Sequence, residues 1–177
     1  MPSNIEIKAA LNNRAEAEAT ASRLSDCGPE LIDQEDIFFR CEGARLKLRI
    51  LGPKRGELIR YERADLADTR CSHYVIARTS DPEILLDILT KTLGRTGRVK
   101  KQRTLYLIGQ TRVHLDRVEG LGDFLELEVV LRPEQSESEG KEIAEGLLKS
   151  FGIEKQQLIA EAYVDLLEQR MRVSDSK

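Results

Sequence analysis

Charged and polar residues occupy every second position in five stretches of the chain: Asn4, Glu6 and Lys8; Arg45, Lys47 and Arg49; Lys101 and Arg103; Arg112, His114 and Asp116; Glu126 and Glu128. Side chains alternate faces along an extended strand, so each set shares one face, with Ile5, Ile7, Leu46, Leu48, Leu125 and Leu127 on the other. For a single strand this pattern means no more than a half-exposed antiparallel sheet, apolar side inward. The sorting by sign asks for more. Solvated faces usually mix Lys with Glu, whereas positions 45, 47 and 49 and positions 101 and 103 carry only bases, and 126 and 128 only acids. Like charges stacked along a strand repel unless an opposite charge lies between them. A polyphosphate accompanied by Mg²⁺ or Mn²⁺ suits both sets: hard cations take carboxylate and phosphate oxygens together, and Arg and Lys neutralise the remaining phosphate charge. For the two sets to converge, the charged faces must curl toward one another. A closed or nearly closed antiparallel β-barrel does this, its charge inside and its aliphatic faces packed under helices.

The elements that must position these residues follow from periodicity and turn chemistry. Ile5 to Leu11 reads as a strand, and Asn12 and Asn13 offer an N-cap to an Ala/Glu-rich helix ending near Leu24, closed by Gly28-Pro29. Strand-like runs follow at 34–40, 45–51 and 57–63, separated by turn residues at Glu42-Gly43 and Gly52-Pro53. Ser80-Asp81-Pro82 opens a second helix carrying Leu85, Leu86, Leu89 and Leu93, which Gly94 ends. Three more strands are expected at 99–108, 111–118 and 124–131. Ser136 and Glu139 form a capping box for a helix reaching about Phe151, and a last helix is expected from Lys155 to about Arg172. No linker, repeat or low-complexity block divides the chain. The expectation is one α+β domain over residues 1–172, with a disordered tail at 173–177.

Composition bounds the function. The chain has 177 residues, enough to bury a core without disulfides. With 40% hydrophobic and 33% charged residues, neither a membrane span nor wholesale disorder is expected. The net charge of -3, from 28 bases and 31 acids, supplies no global field toward nucleic acid or an anionic membrane. Cys27, Cys41 and Cys71 are odd in number and lack the paired spacing of a zinc site, so they read as reduced thiols. The first residues contain acid and base without an apolar run. A soluble, cytoplasmic protein is expected, with neither nucleic acid nor membrane as partner, and a monomer or homodimer as its state.

Several segments resemble the CYTH proteins, also called triphosphate tunnel metalloenzymes. They are Asn4-x-Glu6-x-Lys8, close to a Glu-x-Glu-x-Lys opening; Gln34-x-Asp36-x-Phe38-Phe39; Arg45-Leu46-Lys47-Leu48-Arg49; and Lys101-x-Arg103-x-x-Tyr106. The most specific is His114-Leu115-Asp116 continuing through Gly120-Leu121-Gly122-Asp123-Phe124 to Glu126-Leu127-Glu128; Ala162-Tyr163-Val164-Asp165-Leu166-Leu167 is similar to the family's closing motif. The resemblance covers most of the chain and is nearest to the class IV adenylyl cyclase-like branch. It implies an eight-stranded tunnel that takes a nucleoside or other organic triphosphate with Mg²⁺ or Mn²⁺. On this likeness Glu6, Asp116, Glu126 and Glu128 are the metal ligands, and with Lys8 they form the catalytic set. Lys8, Arg45, Lys47, Arg49, Arg63, Lys101 and Arg103 would hold phosphates. Asn4, His114 and Tyr74 are candidate supports: His114 either orients Asp116 or a phosphate or serves as general base, and Tyr74 contacts ligand or closes the barrel.

The sequence departs from the family pattern at three places. Asn4 stands where the opening motif has Glu. Phe38 stands where the family's triphosphatases often carry Tyr, and Tyr61-Glu62-Arg63 offers no Lys to pair with it. The likeness of the 114–128 stretch to the class IV adenylyl cyclase-like branch implies conversion of ATP to cyclic AMP and pyrophosphate, with triphosphatase activity toward thiamine triphosphate, tripolyphosphate or nucleotides as the rival. A non-catalytic triphosphate-binding module is the third reading. Tyr163 reads as packing.

Overall fold

Alternation of period two dominates the structure, a computed structural model that describes residues 4–62 and 73–174. The elements are β1 (Asn4–Ala10), α1 (Arg14–Leu24), β2 (Cys27–Phe39), β3 (Arg45–Gly52), β4 (Arg55–Glu62), β5 (His73–Thr79), α2 (Pro82–Leu93), β6 (Arg95–Ile108), β7 (Thr111–Val118), β8 (Gly122–Val130), α3 (Glu137–Ser150), a 3₁₀ turn at Lys155–Gln157 and α4 (Tyr163–Ser174). All eight strands join one antiparallel sheet in the order β1-β8-β7-β6-β2-β3-β4-β5. Among the described residues the end strands β1 and β5 do not pair with each other, so the sheet is curled rather than closed. The curl brings Glu6 of β1 and Ile76 of β5 to the lining of one cavity.

The aliphatic faces point away from that cavity, and the helices cover them. α1 and α3 bury Val113, Leu115, Leu125 and Leu127 together with Ala17, Ala21 and Leu148. α2 lays Leu85, Leu86, Leu89 and Leu93 over Ile37, Phe39 and Leu48. α1, α2 and α3 start where their first residues direct: the Asn13 side chain accepts the Glu16 amide, Ser136 and Glu139 form the capping box, and Pro82 sits in the first turn of α2. No helix among the described residues is long and apolar enough to cross a membrane.

Three expectations are corrected. Gly28-Pro29 does not close α1, whose C-cap is Ser25, but lies inside β2 at a register shift against β6. Residues 73–79 add β5, which the turn-based reading did not delimit. The continuous helix expected from Lys155 is broken, because Glu154 and Gln157 cap a single 3₁₀ turn. The chain then runs extended along β1, pairing Leu158 with Ala9 and donating the Ile159 amide to the Lys8 carbonyl. Only at Tyr163 does α4 begin. It continues through Ser174, into the first residues of the expected tail.

Candidate active site

The charged faces meet. A cavity of about 310 Å³ is lined by Glu6 and Lys8 of β1, Glu126 and Glu128 of β8, Lys101 and Arg103 of β6, and Lys47 and Arg49 of β3. Antiparallel registers place these groups: Glu6 opposes Glu128 and Lys8 opposes Glu126, while Arg103 opposes Asp116 across β6 and β7. The strand alternation that puts leucines under the helices thereby puts both signs of charge inside one concavity.

Each pair of bases is held by a carboxylate. Asp36 of β2 accepts Lys47 Nζ at 2.6 Å and Arg49 Nε at 2.9 Å, with the Gln34 amide donating to it at 3.2 Å. Asp116 accepts Lys101 Nζ at 2.7 Å and both Nε and Nη2 of Arg103 at 2.7 Å. Arg103 Nη2 also reaches Glu126 at 2.8 Å, and Arg112 Nε reaches Glu128 at 2.7 Å. Burial alone would raise the carboxyls of Asp36 and Asp116, but the adjacent cations overcome it and hold both well below the usual range. Glu126 is likewise brought to about 2, against burial, by Arg103 and Lys101. Lys47 moves the other way: burial outweighs Asp36 and depresses it to about 8.

His114 is 5% exposed and opposes Glu126 in register. Neither ring nitrogen has a hydrogen-bond partner, and Nε2 lies 4.0 Å from Glu128. Burial and the nearby Arg103 guanidinium depress its pKa to about 4, so the imidazole is neutral at pH 7. It forms no hydrogen bond to Asp116.

One end of the cavity is apolar. Tyr163 and Val164, at the start of α4, pack with Phe38, Val99, Val118 and Phe124. The Tyr163 hydroxyl donates to Asp116 Oδ2 at 3.1 Å, and Lys8 Nζ lies 4.3 Å from the Tyr163 ring centroid while donating to the Glu161 carbonyl at 2.9 Å. Gly97 makes the approach possible, since a Cβ there would meet Val164 Cγ2 at 2.6 Å. Arg45 does not line the cavity. Its Nη2 forks to both oxygens of Asp165 at 2.9 and 3.0 Å and ties α4 to β3.

The CYTH domain profile matches residues 3–163. The chain belongs to the CYTH family. It is 25% identical over 178 residues to adenylate cyclase CyaB of Aeromonas hydrophila, covering 92% of this chain and 89% of that one. The PH1012 protein of Pyrococcus horikoshii superposes with a TM-score of 0.81 at 23% identity, covering 93% of this chain and 99% of that one. HpAC1 of Hippeastrum, whose dominant activity is that of a triphosphatase, superposes at 0.65 with 18% identity, covering 97% of this chain and 96% of that one.

The CYTH family implies a divalent cation, and the carboxylates of β1 and β8 are the donors on this lining. Glu6 and Glu128 face each other across β1 and β8, Glu126 lies on the same face, and the Asn4 amide donates to Glu6 at 3.3 Å. Hard oxygen donors on two adjacent strands fit Mg²⁺ or Mn²⁺. Among the described residues no three His, Cys, Asp or Glu side chains already converge as a metal group. Glu126 and Glu128 are instead turned to Arg103 and Arg112.

Asp116 is fully buried, with both oxygens occupied by Lys101, Arg103 and Tyr163. Arg63 lies outside the described residues, as does the side chain of Tyr74, whose backbone belongs to β5. Sequence reasoning gave no role to Asp36, although it shares a strand face with Gln34 and Phe38; Arg112 was likewise readable by parity with His114 and Asp116. Tyr163 had no parity signal, only the likeness of residues 162–167 to the family's closing motif. Its place in the cavity depends on the break before α4.

Proposed function

We propose that this CYTH protein is a divalent-cation-dependent enzyme that cyclises a nucleoside triphosphate, ATP first among them, to the cyclic nucleotide with release of pyrophosphate. One observation carries the reading: the basic pairs Lys47/Arg49 and Lys101/Arg103 enter the same cavity as Glu6, Glu126 and Glu128. Lys8, Lys47, Arg49, Lys101 and Arg103 bind the phosphate chain and fix it for in-line displacement. Glu6, Glu126 and Glu128 would hold the cation, which when bound neutralises phosphate charge and polarises the phosphoryl oxygen. Asp116 and Asp36 are positioning residues that aim the bases. Glu126 and Glu128, which pair with Arg103 and Arg112 here, would hold the cation in place of those guanidinium groups, which would then be available to phosphate oxygens.

In the reaction the ribose 3′-oxygen bonds to the α-phosphorus and the bond to the bridging α–β oxygen breaks. The hydroxyl proton is carried off on pyrophosphate. Likeness to CyaB and Phe38 in the Tyr position both support cyclisation over hydrolysis. Hydrolysis has one observation in its favour: Lys47 Nζ lies 5.6 Å from the Tyr61 ring centroid, which brings a lysine and a tyrosine together in the cavity. Incubation of the purified protein with ATP and Mg²⁺ or Mn²⁺ separates the readings. Cyclic AMP with pyrophosphate is expected; orthophosphate alone assigns a triphosphatase, and tight binding without turnover assigns a binding module.

A further inference from the structure

The charged lining gives way on one side of the cavity. β4 and β5 contribute Ile59, Tyr61 and Ile76 to it. In register, Lys47, Ile59 and Ile76 form a row across β3, β4 and β5, and Phe38 opposes Lys47 on β2. The Lys47 ammonium is drawn to Asp36 at 2.6 Å, and it stands 5.6 Å from the ring centroids of both Phe38 and Tyr61. A strip of aliphatic and aromatic surface thus runs directly on from a phosphate-type cation. Ile76 remains 44% exposed although it faces the cavity. Apolar surface left wet inside a charged concavity beside bases is the usual composition of a site for a ligand with one apolar and one anionic end.

Resting on the triphosphate reading above, we infer that the strip of Ile59, Ile76, Tyr61 and Phe38 receives the base of a nucleoside triphosphate, its phosphates continuing to Lys47 and Arg49. The strip favours a neutral ring over a cationic one. The Phe38 and Tyr61 rings already face the Lys47 ammonium, and Lys47 with Arg49 repels a second positive charge brought beside it. A purine or pyrimidine brings flat apolar faces without charge and covers the exposed Ile76. Ile76, the exposed member of the strip, is therefore a specificity-determining residue of the same cavity.

The test is a pair of equilibrium titrations in Mg²⁺, using ATP with both bridging oxygens replaced by methylene groups and the matching methylene-bridged triphosphate without adenosine. Neither probe can be cleaved between phosphorus atoms. Wild type is expected to bind the nucleotide roughly tenfold or more tightly than the base-free probe, the scale on which apolar pockets discriminate. Ile76→Gln is expected to abolish that preference while leaving the base-free Kd unchanged, which also reports an intact fold; Ile76→Leu is expected to retain it. Equal affinities in wild type, or a preference unmoved by Ile76→Gln, overturns the inference and leaves the triphosphate reading standing. Failure of wild type to bind either probe overturns the triphosphate reading itself, and this inference with it.

Discussion

Tyr163 donates its hydroxyl to Asp116, joining the first turn of α4 to the carboxylate that holds Lys101 and Arg103. The helix that closes the apolar end of the cavity is therefore in direct contact with the residues that orient phosphate-binding bases. Tyr163→Phe should cost about 1 kcal/mol of stability, the net value of a hydrogen bond whose acceptor keeps other partners. Urea denaturation measures it. A loss above about 3 kcal/mol, beyond the upper range for a bond to a charged group, would show that the ring's packing changes as well.

Asp116→Asn should be far more severe. It leaves Lys101 with a neutral amide in place of its carboxylate and Arg103 with Glu126 as its one charged partner, and removing one member of a buried ion pair costs about 3–5 kcal/mol. Equilibrium unfolding of the variant tests this. A loss under 1 kcal/mol would mean that Glu126 takes over both bases.

Glu126 and Glu128 separate stability from cation binding. From sequence alone, two acids on one strand face repel, and neutralising them would stabilise the empty protein. The structure reverses this, because Glu126 is bonded to Arg103 and Glu128 to Arg112. Glu126→Gln should destabilise by about 1–2 kcal/mol, near the lower end for a hydrogen bond to a charged group. Either substitution should also weaken Mn²⁺ binding measured by paramagnetic broadening in the presence of tripolyphosphate.

Acid sensitivity should begin at His114. Its folded pKa of about 4 lies below the ordinary 6.5, so the unfolded chain binds the extra proton as pH falls between those values. The penalty is absent above 6.5, grows as pH falls and is complete below about 4, reaching about 3 kcal/mol at 1.36 kcal/mol per pKa unit. The groups around the ring are Arg103, Glu128, Glu126 and Asp116. Glu126, lowered from 4.5 to about 2, and Asp36 and Asp116, lowered further, add stability that is present above their unfolded values and lost as pH falls through their folded ones. Melting temperature against pH should fall below 6.5 in wild type, and His114→Phe should delay the fall to the carboxylate range.

Much of this arrangement was legible because a strand has only two faces. Parity alone assigned Lys47, Arg49, Lys101, Arg103, Glu126 and Glu128 to one side, and Leu48, Leu125 and Leu127 to the other. Capping chemistry located α1, α2 and α3. Parity does not give register, so it could not say that Asp116 lies opposite Arg103, or that Arg45 turns from the cavity to Asp165. The helix expected from Lys155 begins only at Tyr163 because the tertiary pairing of Leu158 with Ala9 holds the segment before it extended. The apolar closure by Tyr163 and Val164 stayed hidden for the same reason.

The outward aliphatic faces carry one further consequence. Cohesion resides in the leucines beneath α1, α2 and α3, whereas recognition resides on the alternate positions of the same strands. Apart from the two aspartates that clamp the bases, Glu126 bonded to Arg103, and the packed cluster of Phe38, Val99, Tyr163 and Val164, lining residues can be exchanged while the outer shell stays as it is. Related sheets can thereby diverge in chemistry without having to reinvent their architecture.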